Sequence, residues 1–211
     1  MWRYRNPVDV RFGAGVFETL GSAVAGRAYC LVTYDDANGG GVFAELTRRV
    51  VALAGAPAVT VCNIGPNPDF TDLADSCRTY ATSARPVEAI VALGGGSVMD
   101  AAKVLAAASG DFERVRRHLL TGDGGNDLGR TPIIAVPTTA GTGSEVTSWA
   151  TVWDTEAMKK YSLSRDTLHP EVALLARFAR RVSEYGGIPA EDPELKSLDL
   201  WRSTLPEEAQ D

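Results

Sequence analysis

Two stretches of this chain put small and hydroxyl-bearing residues where a bound anion would need them. The first, V-A-L-G-G-G-S-V-M-D-A-A-K at 91–103, sets Gly94, Gly95 and Gly96 between an apolar run and an alanine-rich segment of helical period. Glycines at a strand-to-helix turn admit close backbone approach, and Ser97 with Asp100 three residues on fits a helix N-cap with an acidic residue in the first turn. A helix N-terminus aimed out of a sheet edge offers unpaired N–H groups and partial positive charge, which suits phosphate. The alternative is a tight turn with no ligand. The second stretch, V-P-T-T-A-G-T-G-S-E-V-T at 136–147, sets the hydroxyls of Thr138, Thr139, Thr142 and Ser144 around two glycines just after another apolar run. Such a loop suits sugar and phosphate oxygens, or else it caps its own helix at Ser144 and Glu145. Neither stretch is a Walker motif, and the G-x-G-x-x-G dinucleotide fingerprint is absent; Gly13 and Gly15 read as a turn.

The elements that must position these loops follow from the hydrophobic pattern. Apolar runs at 28–34, 58–64, 89–93 and 132–136 read as strands, and segments of helical period at 42–54, 70–82, 98–108 and 111–120 lie between or after them. Each interval is long enough for a crossover helix, so the fold class is α/β: a doubly wound, mainly parallel sheet with helices on both faces. An extended start, a Gly-x-Gly turn and a short helix precede residue 26. The α/β unit is expected over 1–175. From Ala176 the composition turns to a basic helix and a loose acidic tail, 176–211.

The bulk properties narrow the function classes. The chain has 211 residues, a net charge of -6, 45% hydrophobic and 23% charged residues, which disfavours nucleic-acid and anionic-membrane surfaces. Cys30, Cys62 and Cys77 show no C-x-x-C spacing, so neither a zinc site nor a disulfide framework is suggested. No window approaches the about 18 apolar residues of a membrane span, and the first residues do not form a signal peptide. The expected location is cytoplasmic.

Together, G-G-G-S-V-M-D-A-A-K and P-T-T-A-G-T-G-S-E-V-T resemble the iron-containing (group III) alcohol dehydrogenase family, over about residues 7–175. Within it, M-W-R-Y-R-N-P-V, F-G-A-G and W-A-T-V-W-D-T-E-A-M-K-K-Y-S-L look most like the phosphonoacetaldehyde reductases of phosphonate biosynthesis. The resemblance implies reduction of a small aldehyde with NAD or NADP. It implies that Gly95, Gly96 and Ser97 face the cofactor pyrophosphate, with Asp100 near its nicotinamide end. Thr138, Thr139 and Thr142 would line the cofactor and Lys160 would reach its ribose. Asp35 lies at or one past the position of an acidic residue that holds the adenosine ribose and disfavours NADP. Because the local text is T-Y-D-D, with Tyr34 the other occupant of that place, NAD against NADP stays open. Asp35 and Asp36 also read as a solvated strand end.

Members of this family hold iron or zinc through one aspartate and three histidines of an all-helical C-terminal half. This chain has two histidines, His118 and His169, neither in a matching motif, and D-P-E-L at 192–195 only resembles the start of that segment. The resemblance therefore implies a cofactor half without the all-helical domain and without metal ligands, catalytically incomplete by itself. The other reading is a non-catalytic nucleotide-binding domain or a half-enzyme that needs a helical partner. An exposed apolar face left by the missing half would favour a homo-oligomer.

Overall fold

A computed structural model describes residues 6–35, 41–139 and 141–176. The tail expected over 176–211 lies outside the described residues from 177 on, as does Asp36. Among the described residues the elements run β1 (Asp9–Gly13), a 3-10 turn (Val16–Thr19), α1 (Leu20–Val24), β2 (Tyr29–Val32), α2 (Val42–Ala54), β3 (Val59–Val61), α3 (Phe70–Ala81), β4 (Ala89–Gly94), α4 (Gly96–Ala108) and α5 (Phe112–Thr121). They continue with β5 (Ile133–Pro137), a 3-10 turn (Ser144–Val146), β6 (Trp149–Asp154), β7 (Lys159–Ser164) and β8 (Val172–Ala176).

The main sheet has six strands in the order β1-β8-β5-β4-β2-β3, every neighbouring pair parallel. Strands buried on both faces must be apolar on both, which is why Y-C-L-V, A-I-V-A-L and I-I-A-V are unbroken apolar runs and not alternating ones. Successive side chains nevertheless enter different cores. Tyr29, Leu31, Val91, Leu93 and Ile134 pack with Phe17, Leu20, Leu46 and Val50 on the α1–α2 face. Cys30, Val32, Ile90, Ala92 and Ala135 pack with Leu73, Cys77, Met99 and the alanines of α4 on the other. The result is two helical layers around one sheet.

From β2 the chain moves outward to β3, returns to place β4 on the other side of β2, and then builds β5 and β8 away from it. The order therefore reverses between β2 and β4. In doubly wound sheets such a reversal leaves a crevice outside the carboxyl ends of the strands, where ligands bind.

Two elements carry no expectation from the sequence, and one expectation changes. The stretch 149–164 forms an antiparallel hairpin, β6–β7, that packs on α4 and α3. Residues 172–176 are a sixth parallel strand between β1 and β5. Ala176, expected to begin a basic helix, ends β8 opposite Gly13, because an unbroken V-A-L-L-A run buried against two strands outweighs the arginines that follow it.

Candidate functional site

The reversal point is built from three strand ends. Tyr34 and Asp35 follow β2, Gly94 ends β4 with Gly95 to Ser97 after it, and Thr138 to Thr142 follow β5. Gly94 and Pro137 are in register at the last rung of β4 and β5, and the Thr138 amide donates to the Gly94 carbonyl at 3.0 Å. The two motifs read from the sequence are therefore neighbours.

Why three glycines stand here is answered by what surrounds them. None of the three has a positive φ among the described glycines, so conformational freedom is not the requirement. A Cβ on Gly94 would come 2.5 Å from Val98 Cγ2 and 3.1 Å from Tyr34 Cε2; one on Gly95 would meet Thr139 Oγ1 at 3.0 Å; one on Gly96 would meet Thr142 Cγ2 at 2.9 Å. Val98 and the Tyr34 ring at Gly94, and the protein's own threonine loop at Gly95 and Gly96, leave little room for a side chain. Gly94 and Gly95 are buried, whereas Gly96 and Ser97 are half-exposed and Thr142 is exposed, so the turn is open to solvent on the Gly96 side.

The cap differs from the sequence expectation. Helix α4 starts at Gly96 with Gly95 as its N-cap, φ -83 and ψ -166, and no side chain caps it. Ser97 lies inside the first turn, and its Oγ accepts from the Asn67 amide at 3.3 Å. Asp100 does not close a capping box either. One of its carboxylate oxygens accepts from Ser144 Oγ at 2.7 Å and the other from the Thr151 amide at 3.0 Å. Both groups meet tertiary partners in place of the helix end. The first-turn N–H groups of a 13-residue helix are thereby left without a side-chain cap, an arrangement that fits an anionic pyrophosphate.

Asp35 is exposed at the carboxyl end of β2, beside the crevice. Tyr34 stacks edge-on against Phe43, with ring centroids 4.9 Å apart, and leans over Gly94 and Gly95. Lys160 stands exposed on β7, its Nζ 5.4 Å from the centre of the Trp153 ring. It does not join the glycine turn directly. Its link runs through Trp153, whose amide donates to the Pro68 carbonyl at 3.0 Å, next to the Asn67 amide that meets Ser97.

Lys103, unassigned from the sequence, is fully buried on α4. Its Nζ donates to the Ser144 carbonyl, Ser144 Oγ and the Trp149 carbonyl, each at 2.7 Å, and lies 3.3 Å from Thr147 Oγ1. Burial pushes its pKa from 10.5 down to about 8, against the upward pull of Asp100 and Glu145. The D-A-A-K spacing, which puts Asp100 and Lys103 on one helix face a turn apart, was the available signal.

Among the described residues metal chemistry finds no matching donor set. No group of three or more His, Cys, Asp or Glu among the described residues could hold an ion. His118 Nδ1 lies 3.2 Å from the Asp123 carbonyl and His169 Nδ1 3.1 Å from the Asp166 carbonyl, each occupied locally. A cavity of about 280 Å³ lies away from the glycine turn, lined by Asp69, Phe70, Arg78, Phe112, Arg116 and Asp154 among others. No helix among the described residues is long and apolar enough to cross a membrane.

The chain is 45% identical over 112 residues to a phosphonoacetaldehyde reductase of Streptomyces viridochromogenes, covering 48% of this chain and 28% of that protein. It is 30% identical over 167 residues to the lactaldehyde reductase of Escherichia coli, covering 78% of this chain and 43% of that one. A sulfoacetaldehyde reductase from Bifidobacterium kashiwanohense, solved in complex with NAD+, superposes with a TM-score of 0.65 at 30% identity, over 83% of this chain and 46% of that chain. The chain thus spans less than half the length of these relatives. The family model for iron-containing alcohol dehydrogenase matches residues 7–177, and the chain belongs to that family.

Proposed function

We propose that the described unit binds a nicotinamide dinucleotide, NAD or NADP, in the crevice between β2 and β4, and that it depends on a helical domain, in its own chain or a partner, for aldehyde reduction. The observation that carries this is the junction of the glycine turn and the threonine loop at the topological reversal, beside an uncapped helix N-terminus. In this reading the amides of Gly96 and Ser97 receive the pyrophosphate. Thr138, Thr139 and Thr142 line the same groove, Asp35 selects at the adenosine ribose, and Lys160 reaches the nicotinamide ribose from the hairpin. Asp100 acts indirectly, because both of its carboxylate oxygens are spent on Ser144 and Thr151. Bound nucleotide supplies the hydride; the chain's own contribution is to hold it and exclude water.

Aldehyde reduction also requires a partner for the developing alkoxide, and loss of one strong electrostatic stabiliser costs about 3 to 4 kcal/mol of barrier. The residues described here do not fit the family's metal, and no step through it follows. The substrate class we assign to the complete enzyme is a small phosphonate-bearing aldehyde, phosphonoacetaldehyde, supported by the 45% identity to a reductase of that compound. Calorimetric titration of the chain with NAD and with NADP, with and without Fe2+ or Zn2+, tests the binding. A saturable heat with one nucleotide, and no NADH consumption with phosphonoacetaldehyde, is expected. Absence of heat with either nucleotide overturns the binding, and sustained turnover by the chain alone overturns its dependence on a helical domain.

A further inference from the structure

We infer that the Lys103 ammonium is a positioning residue for dinucleotide binding: from inside the core it sets the threonine loop against the glycine turn through the hydroxyl of Ser144. This rests on the dinucleotide reading above and adds to it a residue that touches no ligand.

An ammonium has three protons, and three acceptors stand at 2.7 Å from Lys103 Nζ, which saturates it. Two of the three belong to Ser144. Ser144 Oγ accepts from Lys103 and donates to the carboxylate of Asp100, one turn earlier on α4, so the direction of that hydroxyl is fixed from both sides. The Ser144 amide in turn donates to Thr142 Oγ1 at 3.3 Å, and Thr142 is the residue packed against Gly96. An unbroken run of contacts thus leads from a fully buried charge to the one exposed threonine of the groove. Accepting from Ser144 orients the Thr142 hydroxyl so that its proton remains to be donated toward a ligand oxygen.

The third strong bond, to the Trp149 carbonyl, ties the root of the hairpin to the same nitrogen, and the Thr151 amide ties it to Asp100. Threonine loop and hairpin therefore share one anchor. The charged groups that bear on Lys103 are Asp100 on its own helix and Glu145 on the 3-10 turn; Thr147 and Trp149 present neutral oxygens. No ion pair is made by Lys103 among the described residues, so its place is held by directed bonds. A neutral amine has only two protons to give, and one of the three bonds is lost when it deprotonates. Its pKa of about 8 puts that loss in an accessible range.

The test uses the whole chain, with NADH fluorescence titrations from pH 6.5 to 9.5, thermal melts alongside, and amide hydrogen exchange over residues 141–151 without nucleotide. Wild type should bind with constant affinity at low pH and weaken toward tenfold per unit above about pH 8, with no fall in melting temperature up to pH 9. Lys103→Met should bind at least tenfold more weakly at pH 7, show no such pH dependence, and exchange faster at Ser144, Val146 and Thr151. Ser144→Ala, a smaller change that keeps the carbonyl acceptor, should fall between the two and serves if the methionine variant does not fold. A wild-type affinity flat across pH 8, or variants that match wild type in both affinity and exchange, overturns the inference. No NADH binding by wild type at any pH overturns the dinucleotide reading and this inference with it; exchange unchanged in the variants of a chain that does bind overturns the inference alone.

Discussion

Replacing Gly96 by alanine puts the central packing claim at risk in a single methyl group. The added Cβ would lie 2.9 Å from Thr142 Cγ2 and 3.1 Å from its Oγ1, where carbon atoms ordinarily sit about 3.5 to 4.0 Å apart. Thr142 is exposed and can rotate away, but that rotation gives up the bond from the Ser144 amide, worth about 1 kcal/mol. Forcing an extra methyl into a packed junction costs about 1 to 3 kcal/mol, partly offset by up to about 1 kcal/mol that alanine gains over glycine in a helix. The offset is smaller at Gly96 because it is the first helical residue. A net loss of about 1 to 2 kcal/mol is expected, about 2 to 8 °C in melting temperature for a unit of this size. Thr142→Ala removes both clashing atoms, so the double variant should regain most of that loss. Urea unfolding of the wild type, both single variants and the double variant gives the coupling directly, with about 1 kcal/mol or more expected. Additivity within about 0.5 kcal/mol would mean that the two loops do not touch, and the proposed groove would have no wall.

Two other outcomes follow from the same contacts. Asp69 caps α3 through the Asp72 amide at 2.9 Å and also accepts from Thr155 on the hairpin turn at 2.9 Å, so Asp69→Ala should cost about 1 to 2 kcal/mol in urea unfolding, and a loss below about 0.5 would refute the cap. Lys103, charged in both states below pH 8, is neutral in the fold while the unfolded chain still holds its proton up to 10.5, so it adds stability as pH rises through that window, at most about 3 kcal/mol. Cys30 and Cys77, held up to about 12 by burial, act oppositely and lose their contribution between pH 9 and 12; the stability difference between wild type and Lys103→Met should therefore widen from pH 8 to 10, and a constant difference would refute the assignment.

How much of this could be read from residues alone depends on whether the governing interaction is local. Helix α2 falls on the expected 42–54 because its apolar spacing and its bounding glycines, Gly41 and Gly55, are both in the sequence. Three central strands, β2, β4 and β5, declare themselves as apolar runs because both their faces are buried. The hairpin does not: its turn, Thr155 to Met158, carries no glycine or proline, and Met158 takes a left-handed φ of 51 that nothing in its side chain announces. The proximity of the two motifs was legible, since both follow parallel strands and must emerge at the same edge. What fills the space between them was not. Ser97 and Asp100 look like a capping pair in isolation, and only the arrival of Asn67, Ser144 and Thr151 from distant segments redirects them.

The same long-range logic explains why an alanine-rich helix carries a lysine at its centre. Ala101, Ala102, Ala106, Ala107 and Ala108 are all fully buried and let α4 approach the sheet and the hairpin closely, which leaves no path for a long side chain to reach water. Lys103 must find its partners inside, and the threonine loop supplies them as two oxygens of one serine. Should that loop swing out, a buried ammonium would lose two of its three strong acceptors, a penalty of several kcal/mol that the few apolar contacts of a small polar loop cannot match. The loop is therefore held in place before any ligand arrives. A dinucleotide entering the crevice would meet a groove whose wall is already ordered, and the ordering cost that normally weakens binding by a flexible loop would have been met during folding.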